Sequence, residues 1–341
     1  MAKVSDIQDL VNSTLDDLGP PRFEQIAQRL TDYEIMSRLL KKDRILVKSG
    51  KGIERRIMLD HSGAARHTEM YGTDATNITD VLKLLNVPWR FAETHYLIER
   101  RENLMNMPPS ELVDLLELRR VDAMISLTEE LETKGWKAPT DSSDALSPWG
   151  IAYWIVKNTS EGFNGGNPSG FSDTGGIDAS AETRWRNWTA QYAAVSTSDL
   201  IRRMRRAGLR TDFKSPVDIT DLRTGKGERF RIYMNAETLL IFEEVAVAQN
   251  NQLGSDVASM DGRTVFKKNP IIYIGELDAD ATDPVYMIDT NTLYIVALKG
   301  DVLNDSGSKP LANSHNTLAS FIDLTYNFVC IDRRRNVVIS K

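Results

Sequence analysis

The sequence has one cysteine, four histidines and no long apolar run. Cys330 alone cannot form an intrachain disulfide or a cysteine-based zinc site. Nowhere do about 18 apolar residues follow one another, and Met1-Ala2-Lys3-Val4-Ser5-Asp6 carries no apolar signal region. The chain reads as soluble, made in a reducing compartment, with no membrane contact. No HExxH, GxSxG or Cys-His pairing is present, and His61 and His67 sit in a polar stretch with no third ligand implied. No catalytic, cofactor-binding or metal-binding residues are identified. The balance of 42 basic and 48 acidic residues, net −6, argues against a dedicated nucleic-acid binder but not against a protein lining a space that holds DNA.

Several stretches imitate chemical sites without completing them. Gly162-Phe163-Asn164-Gly165-Gly166-Asn167-Pro168 lacks the GK[ST] ending of a phosphate loop and reads as surface loop. Asp278, Asp280 and Asp283 imitate the start of a calcium loop, but Asp283 stands where Gly is needed and Asp289 where Glu is needed. Gly225-Lys226-Gly227 reads as a hairpin turn. Two basic runs, Arg333 to Arg335 and Arg202, Arg203, Arg205 and Arg206, read either as phosphate contacts or as solvated, acid-paired surface.

What the sequence does contain is a long helix. Pro108-Pro109 can open one, Ser110 is a suitable N-cap, and Glu111 and Asp114 place negative charge at its positive end. No Gly or Pro interrupts Glu111 to Lys134, and Gly135 is the expected stop. Leu112, Val113, Leu116, Ala123, Met124, Leu127 and Leu131 form one apolar arc. Leu115, Leu118, Val121 and Ile125 form a second. A surface helix needs one stripe; two imply either a fully buried helix or contacts with two bodies, one of them another element or subunit.

The 41% hydrophobic content supports one large or two moderate cores. Residues 1–45 read as helical and arm-like, with a stripe through Ile7, Leu10, Val11, Leu15 and Leu18. Residues 46–100 read as a two-stranded ribbon, Ile53 to Leu59 out and Val87 to Ile98 back, around a polar tip from Ser62 to Thr76. Ribbon residues Ile53, Arg55, Ile57, Leu59, Val87, Trp89 and Phe91 are the expected assembly contacts, because an isolated ribbon is marginal in water and must lie on its own domain or on a neighbour. Ser147 to Val156 is a buried apolar segment. Thr197-Ser198-Asp199 caps a helix from Leu200 to Ala207 that Gly208 ends. Strands are expected at Arg229 to Met234, Pro270 to Leu277, Val285 to Ile288, Leu293 to Leu298 and Leu318 to Ile331. Asn235 caps a further helix, and Asn336 to Ser340 forms a second arm. The pattern is α+β rather than repeating βαβ.

Arm, ribbon, long helix, mixed domain and terminal strand follow in an order that resembles a tailed-bacteriophage major capsid protein of the Hong Kong 97 fold. Gly165-Gly166-Asn167-Pro168 leading to Gly175-Gly176-Ile177, then Thr183-Arg184-Trp185-Arg186-Asn187, resembles the central region of that family. So do Arg231-Ile232-Tyr233-Met234-Asn235, Pro270-Ile271-Ile272-Tyr273 and Tyr286-Met287-Ile288-Asp289. The resemblance implies an N-terminal arm (1–45), an extended loop (46–100), a spine helix with peripheral domain (101–144), an axial domain (145–277), a peripheral sheet (278–330) and a C-terminal axial strand (331–341). Leu112, Leu116, Ala123, Leu127 and Leu131 would be the spine helix's packing residues. The implied role is an icosahedral head shell enclosing double-stranded DNA, located in the virion and in the host cytoplasm before assembly. Its implied partners are further copies in hexamers and pentamers, a separate scaffolding protein, a portal, a decoration protein and nonspecifically held DNA. An encapsulin-like shell around cargo, or a ligand-binding protein using the Gly/Asn-rich loop, are the alternative readings.

Overall fold

A computed structural model describes residues 33–35, 46–48, 50–61, 63, 65–67, 69–70, 81–99, 101, 109–213, 229–250, 257–260, 263–312 and 314–341. Most of the expected arm, most of the ribbon tip and the Gly225-Lys226-Gly227 turn therefore lie outside the described residues. In chain order, β1 (Leu46–Lys48), β2 (Gly52–Met58), β3 (Leu82–Pro88) and β4 (Arg90–Glu99) precede the long helix α1 (Pro109–Trp136). Next come α2 (Ile151–Trp154), β5 (Gly162–Gly165), β6 (Asn187–Gln191), α3 (Leu200–Arg210), β7 (Phe230–Met234) and α4 (Ala236–Asn250). The rest is β8 (Val257–Met260), β9 (Arg263–Phe266), β10 (Asn269–Tyr273), β11 (Val285–Asp289), β12 (Leu293–Leu298), β13 (Asn304–Asp305), β14 (Lys309–Leu311), β15 (Ser314–Cys330) and β16 (Val337–Ser340).

The 28 residues of α1 span about 42 Å at 1.5 Å per residue. The helix opens at Pro109, so Ser110 lies in its first turn and not at the cap; a proline at the first helical position has no N–H to waste. Gly135 does not stop the helix, which continues to Trp136. A Cβ on Gly135 would stand 2.2 Å from Ile35 Cδ1 and 3.0 Å from Phe328 Cζ. The glycine is there so that the last turn can approach another segment closely. Leu116, Ala123, Leu127 and Leu131 are buried along one face. Of the second arc, Leu118 is exposed and Val121 and Ile125 are half-buried; Leu112, Val113 and Leu115 have no described side chains. Gly208 likewise lies inside α3 and does not end it. Asp199 makes no capping bond to that helix. Its carboxylate instead accepts from the Ala193 and Ala194 N–H groups and from Arg203.

Two sheets organise the chain. The first is built on the 17-residue β15, which pairs antiparallel with β4, β12, β13 and β14, while β1 adds parallel to β12. The second has the order β5-β6-β16-β11-β7-β10-β9-β8. Its central strands are buried on both faces: Ile232, Met234, Val285, Met287, Val337 and Ile339 meet α3 and α4, while Tyr233, Tyr286, Ile288 and Val338 join the α1 core. Strands covered on both sides read as continuous apolar runs.

Three expected boundaries move. The return of the ribbon divides at Pro88 and Trp89: only Leu82–Pro88 pairs with Gly52–Met58, and Arg90–Glu99 pairs with β15 instead. Pro88 has no N–H to continue a ladder. Val285–Asp289, expected in the 278–330 peripheral sheet, lies in the eight-stranded sheet between β7 and β16. Asn336 to Ser340, read as a second arm and, through the resemblance, as a C-terminal strand, is a strand: Val337–Ser340 sits between β6 and β11 in the middle of that sheet. Asn235 does cap its helix, accepting from the Thr238 N–H at 3.1 Å.

Candidate assembly surfaces

The two ribbon strands run antiparallel with Ile53 opposite Val87, Arg55 opposite Leu85 and Met58 opposite Leu82. Side chains alternate between faces, and here the inner face belongs to the subunit's own core. Ile53, Leu85 and Val87 are fully buried there, and Ile57, Leu59 and Trp89 pack at its edge. Arg55 is half-buried, and Trp89 donates its indole N–H to the Gly50 carbonyl at 2.8 Å. Of the seven expected contact residues, Phe91 alone is strongly exposed, at 76%. It stands on β4, outside the ribbon.

The glycine-rich stretch is what grips the ribbon's base. The Asn86 N–H donates to the Gly175 carbonyl at 2.9 Å, and the Gly175 N–H donates to the Tyr153 hydroxyl at 3.0 Å. Gly175 has φ of +68°, and a Cβ on it would lie 2.4 Å from Leu85 Cδ1. Asn167 holds the loop in shape, donating to the Ser172 carbonyl and the Asp178 carboxylate and accepting from the Ala179 N–H. This stretch is therefore a clamp for the ribbon, packed by side chains and backbone.

Sequence reasoning missed the opposite face of the ribbon. Met58, Leu82 and Leu84 are 63%, 52% and 49% exposed. Their register puts Met58 beside Leu82, and Leu84 opposite Arg56. The available signal was apolar residues in both phases of an alternating strand. A second apolar area borders a groove of about 670 Å³ beside the last turns of α1, lined among others by Phe91, Leu127, Leu131, Leu146 and Tyr326. Leu146 there is 88% exposed.

Most of the basic side chains meet partners within the chain, while Arg202 is exposed. Arg333 is fully buried and donates to the carbonyls of Trp154 at 2.7 Å, Trp185 at 3.0 Å and Gly166 at 2.8 Å. Burial lowers its pKa to about 10, which still leaves it charged at neutral pH. Arg334 lies over the Phe163 ring, and Arg335 pairs with Asp332. Arg203 and Arg206 both meet Glu161. The three aspartates of the calcium-like stretch point to separate partners: Asp278 to Tyr273, Asp280 to Lys157, and Asp283 to Asn235 and Lys341.

No protein-family model and no curated protein matches the sequence. Solved structures do match. A chain of the cyanophage A-1(L) capsid asymmetric unit superposes with TM-score 0.67 at 13% identity, covering 95% of this chain and 97% of that one. A chain from the capsid of a native GTA particle gives TM-score 0.55 at 11% identity, covering 95% of each chain. The holo-SrpI encapsulin complex from Synechococcus elongatus PCC 7942 gives TM-score 0.50 at 8% identity, covering 100% of this chain and 95% of that one. Long helix, clamped ribbon and two sheets built from interleaved segments thus make up one architecture, and this chain has the Hong Kong 97 fold.

Proposed function

We propose that this chain is a structural, non-enzymatic capsid subunit that self-assembles into the icosahedral head shell around a tailed phage's double-stranded DNA. The carrying observation is the ribbon, which is anchored on its inner face and apolar on its outer face at Met58, Leu82 and Leu84. A second copy gives that face, and the exposed Phe91 and Leu146, a place to be buried. Many weak repeated contacts close a shell without one tight interface. Scaffolding, portal and decoration proteins are the further partners of this reading, and packaged DNA is held through its phosphates without base readout.

The likeness to an encapsulin complex supports a second reading, a shell around protein cargo. Electron microscopy of the purified protein, alone and with the product of a neighbouring scaffolding gene, tests the shared part. Closed shells or capsomers are expected, and a stable monomer or dimer under both conditions overturns it. The nucleic-acid content of shells isolated from the native source separates the two readings: protected genome-length DNA fits a head, and protein cargo without DNA fits the alternative.

A further inference from the structure

Residues 33–35 plug into the joint between the end of α1 and the eight-stranded sheet. Ile35 is 1% exposed and packs where Gly135 leaves room. Its N–H donates to Glu132 Oε2 at 2.9 Å. The other Glu132 oxygen accepts from the Trp136 indole at 2.8 Å. Next to it, Glu34 pairs with Arg231 at 3.2 Å and accepts from the Tyr233 hydroxyl at 3.1 Å. One turn back on α1, Glu129 accepts from the Tyr33 hydroxyl at 3.2 Å. Glu34, Glu132 and Arg231 are all buried.

The cluster thus joins three elements. Arg231 on β7 answers Glu34. Glu132 is held by neutral N–H donors, those of Ile35, Trp136 and the Glu34 backbone, and, among the described residues, by no cation. A buried carboxylate without a cation is costly in its charged form. We infer that residues 33–35 form a pH-dependent latch, in which ionisation of Glu132 loosens these residues from the joint between the long helix and the eight-stranded sheet. The inference concerns contacts within one chain and does not rest on the shell reading.

Burial, reinforced by the Glu34 charge, raises the Glu132 pKa to about 7, against hydrogen bonds from Trp136 and from the Ile35 and Glu34 backbone that lower it. The sign follows directly. The docked state binds a proton that the released state gives up, so docking is strongest below the ordinary Glu range. It weakens as pH rises from there through about 7.

The test is amide exchange at Ile35 in the unassembled full-length chain, expressed as protection relative to the intrinsic rate at each pH. Protection is expected to fall at least roughly tenfold between about pH 5.5 and about pH 8, since one unit of pKa difference is tenfold in the equilibrium. In Glu132→Gln, protection is lower throughout, because an amide cannot accept from all of these N–H donors, but it no longer depends on pH. Constant protection in the native chain, or the same fall in Glu132→Gln, overturns the latch. If that variant does not fold, Glu34→Gln decides, because it removes the neighbouring charge that helps to raise the Glu132 pKa. A shrunken fall supports the latch and an unchanged one overturns it.

Discussion

The Asn86 N–H and the Gly175 carbonyl meet at 2.9 Å, so the returning ribbon strand is tied to the glycine-rich loop by backbone as well as by packing. The base of the ribbon is thereby fixed, and this bond lies beside the buried Leu85.

Gly175→Ala is expected to destabilise the subunit by about 2–4 kcal/mol, combining a left-handed φ with overpacking of Leu85. Denaturant unfolding followed by tryptophan fluorescence measures it. A midpoint equal to the native one would show that the loop yields and clamps nothing.

Arg333 is the second fixed point. Its guanidinium joins α2, the 3-10 turn before β6 and the Gly166 loop by donating to their carbonyls. Arg333→Met removes the charge and leaves those acceptors buried without donors, at about 1–3 kcal/mol for each one that water cannot reach. A loss of about 3 kcal/mol or more is expected in chemical unfolding, and Arg333→Lys should recover little, because an ammonium lacks the planar fork. Weakened DNA binding with unchanged stability would instead return Arg333 to the surface role that a run of three arginines suggests.

Much of the architecture is legible in the sequence where local pattern and tertiary context agree. The alternation from Leu318 to Ile331, the run Leu293 to Leu298 and the Asn235 cap need no distant information. Gly135 misleads because its role is set by Ile35, far away in sequence, and not by the helix end. Arg333 misleads because burial turns on carbonyls from three other segments. Val285–Asp289 reads as a strand, but nothing local says which sheet receives it. The candidate surface is half legible: the ribbon stands out, yet alternation cannot say which phase faces inward, and most of the expected contact residues lie in the phase that packs on the subunit's own core.

Leu84→Glu separates these two phases. Leu84 faces outward opposite Arg56, so the new carboxylate gains a neighbour of opposite charge across the ribbon. Subunit stability is expected to change by no more than about 0.5 kcal/mol, as for other surface substitutions. Assembly, followed by light scattering and microscopy, is expected to fail or to yield only small oligomers, because a charge is carried into an apolar contact. Leu85→Glu on the inner face should do the reverse and unfold the subunit before assembly can be asked about. Normal shells from Leu84→Glu would remove the ribbon's outer face from the interface.

The tip provides a cleaner separation of folding from assembly. The Leu59 N–H donates to the Val81 carbonyl at 3.1 Å, next to the Met58–Leu82 pair, so the strands are already in hairpin register there. Replacing residues 60–80 with Asn-Gly closes them through a two-residue turn whose twist suits an antiparallel pair. The buried base residues Ile53, Leu85 and Val87 keep their contacts. Among the described contacts that are lost is the Asp60–Arg184 ion pair, 3.1 Å long with both side chains nearly half exposed. Such pairs contribute at most about 1 kcal/mol. Cooperative unfolding near the native midpoint is therefore expected, together with shells that fail to close or that break at lower temperature, since on the shell reading the shortened ribbon reaches less of its neighbour. Thermal melting of the subunit beside microscopy of the assembly reaction reads both. Equally heat-stable shells would show that the tip lies idle on the surface. Loss of folding would show that it supports its own subunit, and would transfer the assembly role to the ribbon's outer face at Met58, Leu82 and Leu84 alone.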